Sequence, residues 1–145
     1  MIIKSVFLRC DPGRAFALFT EHAGLWWPAQ RRHTRDAAST IRMEAGGRFF
    51  ERANDGAEVE LGVVRLYEPA HRLLLDWYPG TGRANPTQVS VTFEAIDEGT
   101  RVTVHHGPGQ AGADVFERNA PVYVLSWDIV LAALTSQGAI LLDRA

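Results

Sequence analysis

Between Thr40 and His106 apolar residues recur at every second position, in six runs parted by short breakers. Alternation of period two puts one side of each run in a core and the other in water, which is the mark of a half-buried strand. The pattern predicts strands near 40–45, 47–53, 58–67, 71–78, 86–96 and 100–106. Asn54-Asp55-Gly56, Glu68-Pro69, a Gly/Pro-rich stretch at 79–86 and Asp97-Glu98-Gly99 part them, and such short connections make neighbours antiparallel. The first link is the most explicit. Arg42-Met43-Glu44-Ala45-Gly46-Gly47-Arg48-Phe49-Phe50-Glu51 reads as strand, two-glycine turn and strand, because glycine supplies the positive φ of a hairpin turn without steric strain.

The same parity assigns faces. Val89, Val91 and Phe93 share a side with Val102, Val104 and His106, opposite Ser90, Thr92, Glu94, Arg101, Thr103 and His105. Upstream, residues 2–9 read as a strand, and Asp11-Pro12 starts a helix with Asp11 as N-cap and Phe16, Ala17 and Phe19 as its apolar stripe. Helical structure is expected to about Leu25, where Trp26-Trp27-Pro28 breaks it. Residues 29–39 are polar and read as an exposed loop. Downstream, residues 120–138 form the longest expected helix, with Asn119 as cap, Pro121 in its first turn and Gly138 as its stop. Tyr123, Trp127, Val130, Leu131 and Leu134 fall on one stripe, widened by Leu125 and Ile129. With no repeat or linker, residues 1–145 are expected to form a single domain. The order is that of an α+β sheet curling around its last helix.

Trp26-Trp27-Pro28, the glycine hairpin, Glu60-Leu61-Gly62-Val63-Val64 and Pro69-Ala70-His71-Arg72-Leu73, in this order, resemble the SRPBCC or START-like superfamily. The branch resembled is named after the activator of the ninety-kilodalton heat-shock protein's ATPase. The resemblance implies a helix-grip fold, with a curved six- to seven-stranded antiparallel sheet around a long C-terminal helix and short helices after the first strand. It also implies an apolar cavity between sheet and helix. A histidine stands at the end of the last strand in related sequences, and His106-Gly107 looks like that position.

Composition narrows the function classes. Seventeen acidic against fifteen basic residues leave a net charge of −2, which offers no general attraction to nucleic acid or anionic lipid. The single cysteine, Cys10, has no internal disulfide partner. The first residues lack a signal-peptide pattern, and no run of about eighteen consecutive apolar residues is read, so a cytoplasmic location off the membrane is expected. There is no GxSxG elbow, P-loop, GxGxxG, HExxH or paired CxxC, and no cofactor is expected. His105 and His106 point to opposite faces of a strand and cannot share an ion, so no metal is expected either. His22, His33 and His71 read as solvated surface.

The candidate site residues lie on the expected inner face. Four tryptophans are many for 145 residues, and each buries a large area. Trp77 continues the stripe Leu73-Leu75-Trp77, Trp127 lies on the last helix, and Trp26 and Trp27 cap the sheet. Core packing is the plain reading for each, and a cavity wall, joined by Phe49 and Phe93, is the sharper one. Adjacent Trp26 and Trp27 cannot both point inward from a regular element, which predicts that one is partly exposed. Glu51 shares a face with Phe49, opposite Arg48, Phe50 and Arg52. There it is an acid/base group, a carboxylate paired with a basic side chain, or a strand end already in water. His106, beside Val104, is either a hydrogen-bonded core residue or a group that orients a ligand.

Three functions compete. The first is a domain that holds an apolar or amphipathic small molecule between sheet and terminal helix. The second is an enzyme of the polyketide cyclase or aromatase kind found in the superfamily, with Glu51 and His106 as acid/base pair. The third is a heat-shock ATPase activator-like interaction domain, although this chain resembles only the activator's C-terminal domain. A strand edge at Ile2–Arg9 or exposed aromatics near Trp26 would support a homodimer.

Overall fold

The computed structural model describes residues 1–143 and contains a seven-stranded antiparallel sheet in the order β1-β7-β6-β5-β4-β3-β2. The strands are β1 (Ile2–Leu8), β2 (Thr40–Met43), β3 (Arg48–Arg52), β4 (Glu58–Glu68), β5 (Arg72–Trp77), β6 (Thr87–Ile96) and β7 (Gly99–Gly107), with helices α1 (Pro12–Thr20) and α2 (Ala113–Asp143). Strands β2 to β7 form a meander, and β1 closes the order by pairing with β7 from Ile2↔His106 to Leu8↔Thr100. This is the α+β helix-grip fold.

Local chemistry accounts for the element boundaries. The side chain of Asp11 accepts from the amide of Arg14 at 2.9 Å and caps α1, with Pro12 at its first position. The turn between β2 and β3 closes through the Gly47 amide onto the Glu44 carbonyl at 3.0 Å, with Gly47 at φ +113°. Opposite this hairpin, Phe49 pairs with Gly62 and Phe50 with Glu60, leaving Leu61 as an extra residue in β4. Such a bulge sharpens the local bend of the sheet.

The expected faces are observed. Val89↔His106, Val91↔Val104 and Phe93↔Val102 are direct pairs, and all six side chains are buried. Phe50 points to the outer face and is nevertheless buried, because the guanidinium groups of Arg48 and Arg52 lie over its ring at 3.9 and 5.0 Å.

Four expectations require correction. The terminal helix begins at Ala113, places Pro121 inside it and runs through Gly138 to Asp143. Gly138 does not stop the helix; it is a buried contact point, where a Cβ would stand 3.1 Å from Leu18. Leu125 is 55% exposed and Ile129 half-buried, so the stripe is narrower than its composition suggested. Residues 29–39 are not simply an exposed loop: Arg32 and Ser39 are buried. Finally, α2 is long and apolar enough to cross a membrane by length and composition, with mean hydropathy 1.5 over 18 residues, whereas the sequence reading found no such run. In the fold its buried stripe of Phe116, Tyr123, Trp127, Val130, Leu131 and Leu134 belongs to the core.

Candidate functional site

The sheet, α2 and the 27–33 segment border a half-open cavity of about 370 Å³, within the size range of small-molecule sites. Three strands supply its floor, with Phe49 from β3, Leu61 from β4 and Trp77 from β5. Helix α2 supplies Asn119, Val122, Tyr123, Ser126, Trp127 and Val130, which recur at three- and four-residue steps and therefore lie on one face. Pro79 and Gly80 follow β5, and Trp27, Gln30, Arg31, Arg32 and His33 form the remaining side. Trp77 bridges the wall, its ring centroid 5.1 Å from Phe49 and 5.2 Å from Trp127.

Of the sequence candidates, Trp27, Phe49, Trp77 and Trp127 line this space, and Trp26, Glu51, Phe93 and His106 are buried in the core without lining it. Trp26 and Trp27 are 2% and 7% exposed, which overturns the expectation that one must face water. They follow a short 3₁₀ turn at Ala23–Leu25, so no helical or strand parity separates them. The indole of Trp26 donates to the Leu18 carbonyl at 2.7 Å, and that of Trp27 donates to the Arg31 carbonyl at 3.3 Å.

His106 is fully buried and joins helix to sheet. The Trp127 indole N–H donates to Nδ1 at 3.0 Å, and Nε2 lies 2.7 Å from the Thr87 hydroxyl. An indole nitrogen only donates, so Nδ1 is the accepting nitrogen, the ring hydrogen sits on Nε2, and Nε2 donates to Thr87. The Thr87 hydroxyl is 3.4 Å from the Trp77 carbonyl and donates to it. Burial, with a smaller contribution from the N-terminal ammonium, lowers the pKa of His106 to about 4. The imidazole is neutral at pH 7, and its ring packs 4.2 Å from that of Tyr123.

Glu51 is also fully buried. Its carboxylate accepts from the amides of His33 at 2.7 Å and Thr34 at 3.0 Å, from the Ser39 hydroxyl at 2.9 Å, and from the Thr34 hydroxyl. Burial pushes its pKa up, but these four donors outweigh burial and hold it below the usual carboxylate range. The hydrogen-bond donors to Glu51 are thus amides and hydroxyls of the 33–39 loop, with the His33 imidazole 3.9 Å from the carboxylate and Arg32 close by as the basic neighbours the sequence suggested. Arg32 strengthens the same loop. Its Nη1 donates to the Ser39 carbonyl and hydroxyl at 2.7 and 2.9 Å, and its Nη2 donates to the Gly24 and Trp27 carbonyls at 2.8 Å each.

Sequence reasoning missed Gln30, Arg31 and Arg32, because a polar segment without periodicity gives no direction to its side chains. Tyr123 was within reach: it stands one helical turn before Trp127, and its hydroxyl donates to the Pro79 carbonyl at 2.8 Å. Among the described residues no cluster of histidine, cysteine and carboxylate side chains could hold a metal ion.

Residues 9–137 match the family described as Activator of Hsp90 ATPase homolog 1-like protein. Comparison with proteins of curated function found no match. Among solved structures, the chain is similar to CalC, a self-sacrificing resistance protein from Micromonospora echinospora, at 25% identity and TM-score 0.71, covering 94% of this chain and 92% of that one. It is similar to the anthrahydroquino-γ-pyrone synthase Txn09 at 25% identity and TM-score 0.55, covering 80% and 82%. The Aha1 dimer of Colwellia psychrerythraea shares the fold at 16% identity and TM-score 0.62, with 92% of each chain covered.

Proposed function

The chain belongs to the family of Activator of Hsp90 ATPase homolog 1-like proteins, and we propose that it is a cytoplasmic single-domain protein that binds an apolar or amphipathic small molecule between the sheet and α2. The observation that carries this reading is the cavity of about 370 Å³ walled by Trp27, Phe49, Trp77 and Trp127. Glu51 and His106 then act on the wall through its supports, while Trp26 and Phe93 are core residues. Glu51 holds the 33–39 loop, and His106 ties Trp127 to β7.

Txn09, at 25% identity, is a synthase, which favours cyclisation of a bound chain as the second reading. In that reading the acid/base step needs a group at the cavity surface. Glu51 and His106 would reach it only by rearranging, because all their polar atoms have partners within the fold. Ligand holding without chemistry therefore stands first. The heat-shock activator reading stands third, because its support is the family description and a fold shared at 16% identity.

The test is titration with N-phenyl-1-naphthylamine, an uncharged apolar fluorophore, alongside a Ser126→Trp variant that fills the cavity. Saturable one-to-one binding by the wild type that is lost in the filled variant is expected. Absence of saturable binding, or equal binding by both proteins, would overturn the proposal.

A further inference from the structure

We propose that the cavity selects ligands that carry a negative charge on an apolar body, and that Arg31 receives that charge. The inference rests on the binding reading above and names the ligand class. Two arginines line the cavity and no aspartate or glutamate does. Arg32 is committed to the protein, since its two terminal nitrogens donate to four neutral oxygens of Ser39, Gly24 and Trp27. Its charge faces the carboxylates of Glu51 and Asp36, neither of which lines the cavity.

Arg31 is different. Its guanidinium makes one weak bond, from Nη1 to the Gln30 carbonyl at 3.3 Å. Its Nε is buried without a partner, as is that of Arg32, but Arg32 has four other bonds to the protein and Arg31 only this weak one. Among the described residues no carboxylate lies within 4.0 Å of it, whereas Arg48, Arg52 and Arg65 on the rest of the sheet are each paired. The backbone beneath it is held in place, because the carbonyl of Arg31 accepts from the indole of the wall residue Trp27. A planar, permanently charged fork with an unused buried donor, positioned beside an aromatic wall, matches a carboxylate, sulfonate or phenolate oxygen on a hydrophobic molecule. Burying a donor without a partner is unfavourable, and a ligand oxygen would satisfy it.

The experiment compares two probes with the same ring system, 1-anilinonaphthalene-8-sulfonate and the uncharged N-phenyl-1-naphthylamine, on wild type, Arg31→Gln and Arg31→Lys. The expected result is a loss of about tenfold or more in sulfonate affinity for Arg31→Gln, with the neutral probe unchanged within about twofold on the same scale. Arg31→Lys, which keeps the charge but not the fork, falls between. Thermal melting monitored by circular dichroism checks that each variant folds. If both probes lose affinity equally in Arg31→Gln, or if neither does, the charge-selecting role of Arg31 is overturned while the cavity reading stands. If neither probe binds the wild type saturably, the cavity reading fails, and this inference with it.

Discussion

The indole N–H of Trp127 donates to Nδ1 of His106 across 3.0 Å, and this bond links α2 to β7 inside an otherwise aromatic layer. Both ring nitrogens of His106 are engaged, one as acceptor and one as donor, so a second proton has no vacant lone pair to occupy. Burial and this bond favour the neutral ring together.

His106 gives stability a specific pH dependence. Its pKa is about 4 in the folded chain against an ordinary value of 6.5, so between these values the unfolded chain binds the proton and the folded chain does not. Stability therefore rises with pH across that window and is level above it, by about 3 kcal/mol in all. Urea unfolding of wild type and His106→Leu at several pH values checks this: the advantage of wild type should shrink as pH falls from 6.5 to 4. A constant difference would rule out the neutral buried imidazole.

Trp127→Phe removes the donor and keeps a ring in place. The expected cost is about 1–2 kcal/mol of stability, together with a rise in the His106 pKa that leaves it still below 6.5 because burial persists. Proton NMR titration of the imidazole reads the second effect, which simple loss of packing would not produce.

Glu51→Gln breaks the anchor of the 33–39 loop. A neutral amide has one oxygen in place of two and adds a donor facing the amides of His33 and Thr34, so a loss of about 2–4 kcal/mol is expected. Hydrogen exchange at His33 and Thr34 should accelerate more than exchange in β6 and β7. In the wild type, the contribution of Glu51 is present above the ordinary carboxylate value and is lost as pH falls through its lowered folded pKa.

Gly62→Ala tests the bulge under the cavity floor. A Cβ at Gly62 would stand 2.0 Å from the Asp76 carbonyl oxygen and 3.0 Å from the Phe49 ring. Because the nearer contact is backbone, β4 and β5 must separate locally, and destabilisation of about 3 kcal/mol or more is expected, in the range of overpacked cores. A urea midpoint unchanged from wild type would show that the bulge yields freely.

Most of the fold was legible because strands and their faces are written at period two. Val89, Val91 and Phe93 had to share a side whatever they packed against, and Gly47 supplied the positive φ its hairpin needed. The ends of α2 were less legible. Pro121 and Gly138 are ordinary stop signals, yet the helix carries both, since Gly138 meets Leu18 at a distance that only the packing of α1 defines.

By itself, the sequence determined the element order and the inner and outer faces of the sheet, and it put Phe49, Trp77 and Trp127 on inward faces, because backbone parity and turn chemistry act over a few neighbouring positions. Only the tertiary structure decided the surroundings of Glu51, His106 and Arg31. Their environments depend on partners far along the chain: the 33–39 loop for Glu51, Thr87 and Trp127 for His106, and the cavity itself for Arg31. A carboxylate, an imidazole and a guanidinium take their charge state and availability from the groups within hydrogen-bonding reach, and only the folded chain brings those groups together.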